Sequence, residues 1–166
     1  MEFLPLDLPG LASKLLDFRI HPMAFRGNYE HTLDAKNRLT IPSKLRDQLG
    51  GEVVIGKSLE ACAAIWTPDG FDAYTDGFLR DLHPLSEEAR AMNVWFSGNS
   101  FDSELDKAGR AMIPTDILGH AGIEKEVVVV GAFDHVQLWS PDGWAARSAD
   151  VAANLKTTVA KIVSAG

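Results

Sequence analysis

Residues 33–42 read LDAKNRLTIP, and residues 105–114 read LDKAGRAMIP. Both stretches fit the pattern L-D-x-x-x-R-x-x-I-P, and they lie 72 positions apart. Two further blocks recur in the same order: E-V-V at 52–54 and 126–128, and W-[ST]-P-D-G at 66–70 and 139–143. Self-similarity at a nearly fixed offset is typical of a repeated structural unit. The three blocks therefore predict that the chain contains two copies of one unit.

Each copy is predicted to contain, in order, a strand, a turn, a strand, a short helix, two strands and a helix. In the first copy, residues 28–33 and 38–41 predict the two strands beside the turn. Pro42 ends the second of them, because proline cannot donate to a sheet ladder. Further strands are predicted at 53–55, 63–66, 127–130 and 136–139. The triplets T-P-D at 67–69 and S-P-D at 140–142 predict helix starts, with a hydroxyl cap and a proline in the first turn.

The turn in each copy carries a characteristic pair of residues. Its last position holds Asn37 in the first copy and Gly109 in the second, the two residue types that best tolerate a positive φ. Its first position holds Asp34 or Asp106, whose carboxylate is predicted to hydrogen-bond the turn backbone or to orient the motif arginine. These features predict a left-handed turn at the tip of a two-stranded ribbon.

The predicted fold class is mixed α+β, rich in β-strands, with flanking helices. A unit of about 45 residues would bury little surface and be only marginally stable alone. The two copies are therefore expected to pair around a pseudo-twofold axis and to share one core. The predicted organisation is an N-terminal extension at 1–23, a first repeat at 27–70, a helical connector at 71–97, a second repeat at 99–143 and a C-terminal helix at 144–166.

Both ends of the chain leave alternatives open. The N-terminal extension lies outside the duplication, and Met23 would be a natural beginning, so the extension is expected to be a flexible tail or the product of a start assigned too far upstream. Near the other end, Val151, Leu155 and Val159 recur at helical spacing. This apolar stripe would pack either on its own protomer or on a neighbouring subunit.

Composition excludes several classes of protein. The 166 residues are 46% hydrophobic and 23% charged, which excludes wholesale disorder. Cys62 is the one cysteine, so intramolecular disulfides and multi-cysteine zinc sites are excluded, and a buried thiol in a reducing cytoplasm is expected. No run of 18 apolar residues predicts a membrane span.

The net charge of −7 is unevenly distributed. Residues 26–46 hold five Lys or Arg against two acids, whereas residues 98–118 hold two against four. A basic tip on an acidic body would orient the protein on a polyanion. This distribution favours the first copy as the main region for contacting a polyanion such as DNA.

No catalytic constellation is evident in the sequence. It contains no G-x-S-x-G, P-loop, H-E-x-x-H or dinucleotide fingerprint, and the five histidines are scattered. We therefore predict that the chain is not an enzyme, with no catalytic residue, no metal site and no cofactor.

The sequence R-G-N-Y at 26–29, together with the two D-x-x-x-R motifs, resembles the MraZ family over about residues 24–150. That family has two tandem SpoVT/AbrB-like units. The resemblance implies a swapped-hairpin fold, oligomeric rings and a location in the cytoplasm with the nucleoid. It also implies control of transcription, commonly repression, through repeated promoter boxes upstream of the bacterial division and cell wall gene cluster.

The motif arginine of the family corresponds to Arg38 and Arg110. Arginine is the commonest reader of guanine, and a two-stranded β-ribbon fits the major groove, so both are candidate base contacts, with Arg38 favoured. The other candidate DNA-binding residues are Lys36, Asn37, Arg26 and Lys107, with Lys44 and Arg46 as phosphate contacts. The alternatives are an antitoxin-like AbrB protein and an oligomeric scaffold whose second copy binds a protein partner.

Overall fold

The computed structural model describes residues 24–166 of the chain. The N-terminal extension predicted at 1–23 lies outside these residues. The first half of the chain forms β1 (Asn28–Thr32), β2 (Arg38–Thr40), α1 (Ser43–Leu49), β3 (Glu52–Lys57), β4 (Ala63–Trp66), α2 (Pro68–Leu79) and α3 (Glu87–Gly98). The second half forms β5 (Ser100–Glu104), β6 (Arg110–Met112), α4 (Thr115–Ala121), β7 (Glu126–Gly131), β8 (Val136–Trp139), α5 (Pro141–Ala153) and α6 (Leu155–Ser164).

The strands of the two copies are interleaved. Six strands form one antiparallel sheet in the order β1-β7-β8-β4-β3-β5, while β2 and β6 form a separate two-stranded sheet. The first strand of each copy pairs with the other copy: β1 pairs with β7 of the second copy, and β5 pairs with β3 of the first. This exchange is the swapped arrangement that the family resemblance implies.

An approximate twofold axis relates the copies. In the β2–β6 pair, Leu39 lies opposite Ala111, its own equivalent in the other copy. In the centre of the large sheet, Ala64 lies opposite Gln137, again its equivalent. The predicted mixed α+β fold with a pseudo-twofold arrangement of two units is therefore confirmed.

One hydrophobic core serves both copies, because its side chains come from both halves of the chain. The following members are each at most 1% exposed: Leu39, Ile41, Leu45, Ile55, Ile65, Ala111, Ile113, Ile117, Val129 and Leu138. Burying one leucine or isoleucine contributes about 1.5–3 kcal/mol. Since these side chains pack into one cluster, neither copy keeps a complete core without the other.

The predicted helix caps are present. The hydroxyl of Thr67 accepts a hydrogen bond from the backbone N–H of Gly70 at 3.0 Å, and Ser140 makes the same bond with Gly143 at 3.0 Å. Each cap satisfies one backbone donor that the helix itself leaves without a partner. The repeated W-[ST]-P-D-G blocks are therefore helix starts, at the beginning of α2 and α5.

The C-terminal segment differs from the prediction of one helix over 144–166. It forms two helices, α5 and α6, that meet at Asn154. The Asn154 side-chain amide donates to the backbone oxygen of Asp150 at 3.0 Å, and its φ and ψ of −102° and 7° are not helical. Asparagine bonds to nearby backbone in this way at the expense of the helix, which accounts for the break.

Candidate nucleic-acid interface

The two motif arginines lie on one ribbon. In the β2–β6 pair, Arg38 lies opposite Met112 and Thr40 lies opposite Arg110. Leu39 and the residue opposite it are buried, so strand alternation places both arginines on the outward face. The charge distribution favoured the first copy as the main DNA-binding region, whereas the interleaved strands bring one motif arginine from each copy to the same surface.

A carboxylate organises the first turn. One oxygen of Asp34, Oδ1, accepts hydrogen bonds from the backbone N–H groups of Lys36 and Arg38, both at 2.9 Å. The other, Oδ2, accepts from the Nε of Arg38 at 2.6 Å. The backbone N–H of Arg38, followed by the Arg38 side chain and the N–H of Lys36, lowers the pKa of Asp34 despite an opposing effect of burial. Asp34 therefore both shapes the turn and orients the arginine.

The second turn repeats this geometry. Asp106 Oδ1 accepts from the backbone N–H groups of Ala108 and Arg110, both at 2.9 Å, and Oδ2 accepts from the Nε of Arg110 at 2.8 Å. The backbone N–H of Arg110 is the main cause of the lowered pKa of Asp106. The φ angle is 57° at Asn37 and 74° at Gly109, as the turn pattern predicted.

The guanidinium groups keep part of their hydrogen-bonding capacity. Both side chains are partly exposed, with relative accessibilities of 30% for Arg38 and 33% for Arg110. The Nε of each is bound to its carboxylate, but within residues 24–166 no hydrogen bond involves the terminal Nη atoms of either arginine. Arg110 Nη1 lies 3.9 Å from Oδ2 of Asp34, an ion pair beyond hydrogen-bond distance. Each arginine is therefore fixed through Nε, while its two terminal nitrogens remain available to donate hydrogen bonds to a ligand.

Arg46 makes a contact that could not be predicted from its position in the sequence. Its Nη1 donates to the backbone oxygen of Ala108 in the second turn at 3.1 Å. Its guanidinium also packs on buried Gly109, where any Cβ would collide with it. In the structure Arg46, which was predicted to contact phosphate, also supports the turn of the other copy. The equivalent position in the second copy is Leu118, which is buried.

The remaining candidate cations divide into two groups. Lys36 and Lys107 are exposed on the two turns, and Lys44 is exposed in the first turn of α1, directly after the ribbon. Arg26 precedes β1, whereas the turn follows β1, so Arg26 lies at the opposite end of this strand. Its neighbour Gly27 accepts a backbone hydrogen bond from Gly131 at the end of β7. The length of β1, about 16 Å, separates Arg26 from the turn. The structure thus does not bring Arg26 to the ribbon.

The structure gives little support for a metal site, a reactive thiol or a membrane-spanning helix in the described residues. Within residues 24–166 no group of three or more His, Cys, Asp or Glu residues could hold a metal ion. Cys62 is fully buried, and burial raises the pKa of its thiol to about 12. No helix in this part of the chain is long and apolar enough to cross a membrane.

Comparison with known proteins supports the duplication and the resemblance. The family model described as "MraZ protein, putative antitoxin-like" matches twice, at residues 24–92 and 96–164. A protein from Clostridium beijerinckii is 39% identical over 120 residues, which is 72% of this chain and 84% of the relative. Relatives from Lachnoclostridium phytofermentans (36% identity, 76% and 88% covered) and Symbiobacterium thermophilum (37%, 81% and 96%) are similar. All three are named transcriptional regulators rather than enzymes, and by both the family match and this identity the chain belongs to the MraZ family.

Proposed function

We propose that this chain is a transcriptional regulator that binds specific double-stranded DNA through the β2–β6 ribbon, with Arg38 and Arg110 contacting bases. The observation that carries the proposal is the pair of arginines on the outward face of one ribbon, each fixed through Nε by a carboxylate. The names of the relatives support the regulatory role, because each is called a transcriptional regulator.

The ribbon suits the major groove. A two-stranded β-ribbon fits into that groove, and an arginine whose two terminal nitrogens are available can bind guanine O6 and N7 together. Binding Nε to an aspartate fixes the orientation of the fork beforehand, which reduces the side-chain entropy lost on binding. Each such pair contributes about 1–3 kcal/mol of discrimination against the wrong base.

Exposed lysines near the ribbon supply a second kind of contact. Lys36, Lys107 and Lys44 are all exposed. Contacts to phosphate position a protein without reading the sequence, and they make affinity fall steeply with salt. The acidic remainder of the chain, with a net charge of −7 overall, favours approach by the ribbon face.

We further propose that several copies assemble through the C-terminal helices. The apolar side chains of this segment are exposed in the single chain: Val151, Leu155, Val159, Ile162 and Val163, at 44% to 74%. Stripes of this kind mark interaction surfaces. The edge strands β1 and β5 are poor candidates for assembly, because Glu30, Asp102 and Glu104 would place acids against acids.

In an oligomer, each ribbon could bind its own box weakly and the whole assembly would still bind the promoter tightly. Linked sites on a ring raise the effective concentration of each ribbon near the next box, so repeated boxes are bound far more tightly than one. The expected target is a set of repeated boxes in the promoter of the division and cell wall gene cluster, and the expected effect is repression. The protein would act in the cytoplasm, at the nucleoid.

The experiment is a footprint on the DNA upstream of the chain's own gene. Wild type should protect repeated boxes at physiological salt, and Arg38→Ala should lose this protection while keeping its fold by circular dichroism. Arg80→Ala is the matched control, because Arg80 is an exposed arginine that also pairs with an aspartate, Asp76, but lies at the C-terminal end of α2, away from the ribbon. Protection by Arg38→Ala equal to wild type would overturn the DNA site, and the absence of any protected DNA would favour the scaffold alternative.

A further inference from the structure

Each copy places two side chains on the outward face of the ribbon, and one of these two positions differs between the copies. Arg38 and Arg110 are equivalent, but Thr40 of the first copy corresponds to Met112 of the second. Met112 lies directly across the ribbon from Arg38 and is 63% exposed. The two halves of one outward face therefore carry different chemistry beside identical arginines.

The position of Met112 is what a base contact requires. Side chains directly opposite on antiparallel strands have Cβ atoms about 4.5–5.5 Å apart, so the thioether lies within reach of the base pair next to the one that Arg38 contacts. Thymine alone presents a methyl group in the major groove, and an apolar side chain is its natural partner. Methionine adapts its shape to irregular surfaces, which suits such a contact.

We infer that Met112 contacts a thymine methyl group beside the guanine bound by Arg38, and so makes each chain read its DNA box asymmetrically. The other half of the ribbon has Thr40 beside Arg110, and threonine is shorter than methionine and carries a hydroxyl that bonds to several bases, so it contacts a thymine methyl less closely and less selectively. This inference rests on the proposed function, since it requires that the ribbon enters the major groove. It goes further in naming a specificity determinant outside the repeated motif and the base it prefers.

The experiment selects binding sites from a library of duplexes with a randomised central region. Wild type, Met112→Thr and Met112→Leu are each used for selection at the same salt. Met112→Thr places the residue of the first copy in the second and makes the two halves alike. Each thymine of the wild-type site is then replaced by deoxyuridine, which removes the methyl group alone.

One deoxyuridine substitution should weaken wild-type binding about fourfold, because a buried methyl group is worth about 0.8 kcal/mol. Met112→Leu should keep most of this sensitivity, and Met112→Thr, whose methyl group lies closer to the backbone, should lose most of it together with most of the thymine preference. An unchanged site and unchanged sensitivity in Met112→Thr would overturn the inference while leaving the proposed function intact. Failure of wild type to select any site would overturn the proposed function itself.

Discussion

The two turns of the ribbon have the same internal hydrogen bonds but different neighbours. In each, one aspartate binds two backbone N–H groups and the Nε of the arginine four residues later. Behind the second turn, Arg46 bonds to Ala108 and packs on Gly109, whereas the equivalent of Arg46 in the second copy is buried Leu118. Both copies thus keep the geometry that presents the arginine, although the residues that support it have diverged.

The first prediction tests whether the two arginines are equal in function. Arg38→Ala and Arg110→Ala should each reduce specific affinity by about tenfold to a hundredfold, because each loses one bidentate base contact. Fluorescence anisotropy with a selected duplex at fixed salt measures this. Arg38→Lys is the control for charge: it should keep nonspecific binding but lose discrimination. A large loss with Arg38→Ala and none with Arg110→Ala would make the first copy the main reader, as the charge distribution predicts.

The second prediction concerns the left-handed positions. Gly109→Ala should lower the free energy of unfolding by more than Asn37→Ala, measured by urea denaturation. A non-glycine side chain at positive φ costs about 1–2 kcal/mol, and at Gly109 the new Cβ would also collide with Arg46. The double variant Gly109→Ala, Arg46→Ala should recover part of the loss. No recovery in the double variant would show that the collision with Arg46 does not contribute to the loss.

The third prediction separates bracing from phosphate contact. Arg46→Ala should weaken specific DNA binding through the second turn, with a loss of about 1 kcal/mol for its hydrogen bond to Ala108. It should leave the slope of log affinity against log salt unchanged. Lys44→Ala removes an exposed cation from the same helix and should reduce that slope by about one. A reduced slope in Arg46→Ala would instead make Arg46 a phosphate contact.

The fourth and smallest expected effect is a dependence of stability on pH that appears only in acidic solution. The pKa values of Asp34 and Asp106 are lowered from an ordinary value of 3.8 by hydrogen bonds that the folded turn donates. Their stabilisation is therefore complete above that value and is lost as the pH falls below it through the lowered pKa. The difference in unfolding free energy between wild type and Asp34→Asn should stay constant from pH 8 to pH 5 and shrink in more acidic solution. A difference that changes between pH 8 and pH 5 would contradict this account of the carboxylate.

Local chemistry made much of the fold predictable. The repeated blocks, the positive φ at Asn37 and Gly109, and the capping hydroxyls of Thr67 and Ser140 depend on a few adjacent residues, so the sequence displays them directly. The role of Asp34 in the turn could be predicted for the same reason.

The contacts between copies were not predictable in this way. Arg46 and Ala108 are 62 positions apart, and nothing in the sequence near either residue indicates the other. Arg26 lies near the motif in sequence but is separated from the turn by a strand. The break at Asn154 was missed because the apolar spacing continues through it and hides the backbone change.

Methylation interference at guanine N7 is the measurement that tests the ribbon most directly. Wild type, Arg38→Ala and Arg110→Ala are bound to a selected duplex carrying scattered N7-methylguanines, and free and bound DNA are compared. Two groups of guanines should interfere with wild-type binding, with one group lost in Arg38→Ala and the other in Arg110→Ala. Interference that is absent in wild type, or that is unchanged in both variants, would contradict the claim that one arginine from each copy reads the DNA.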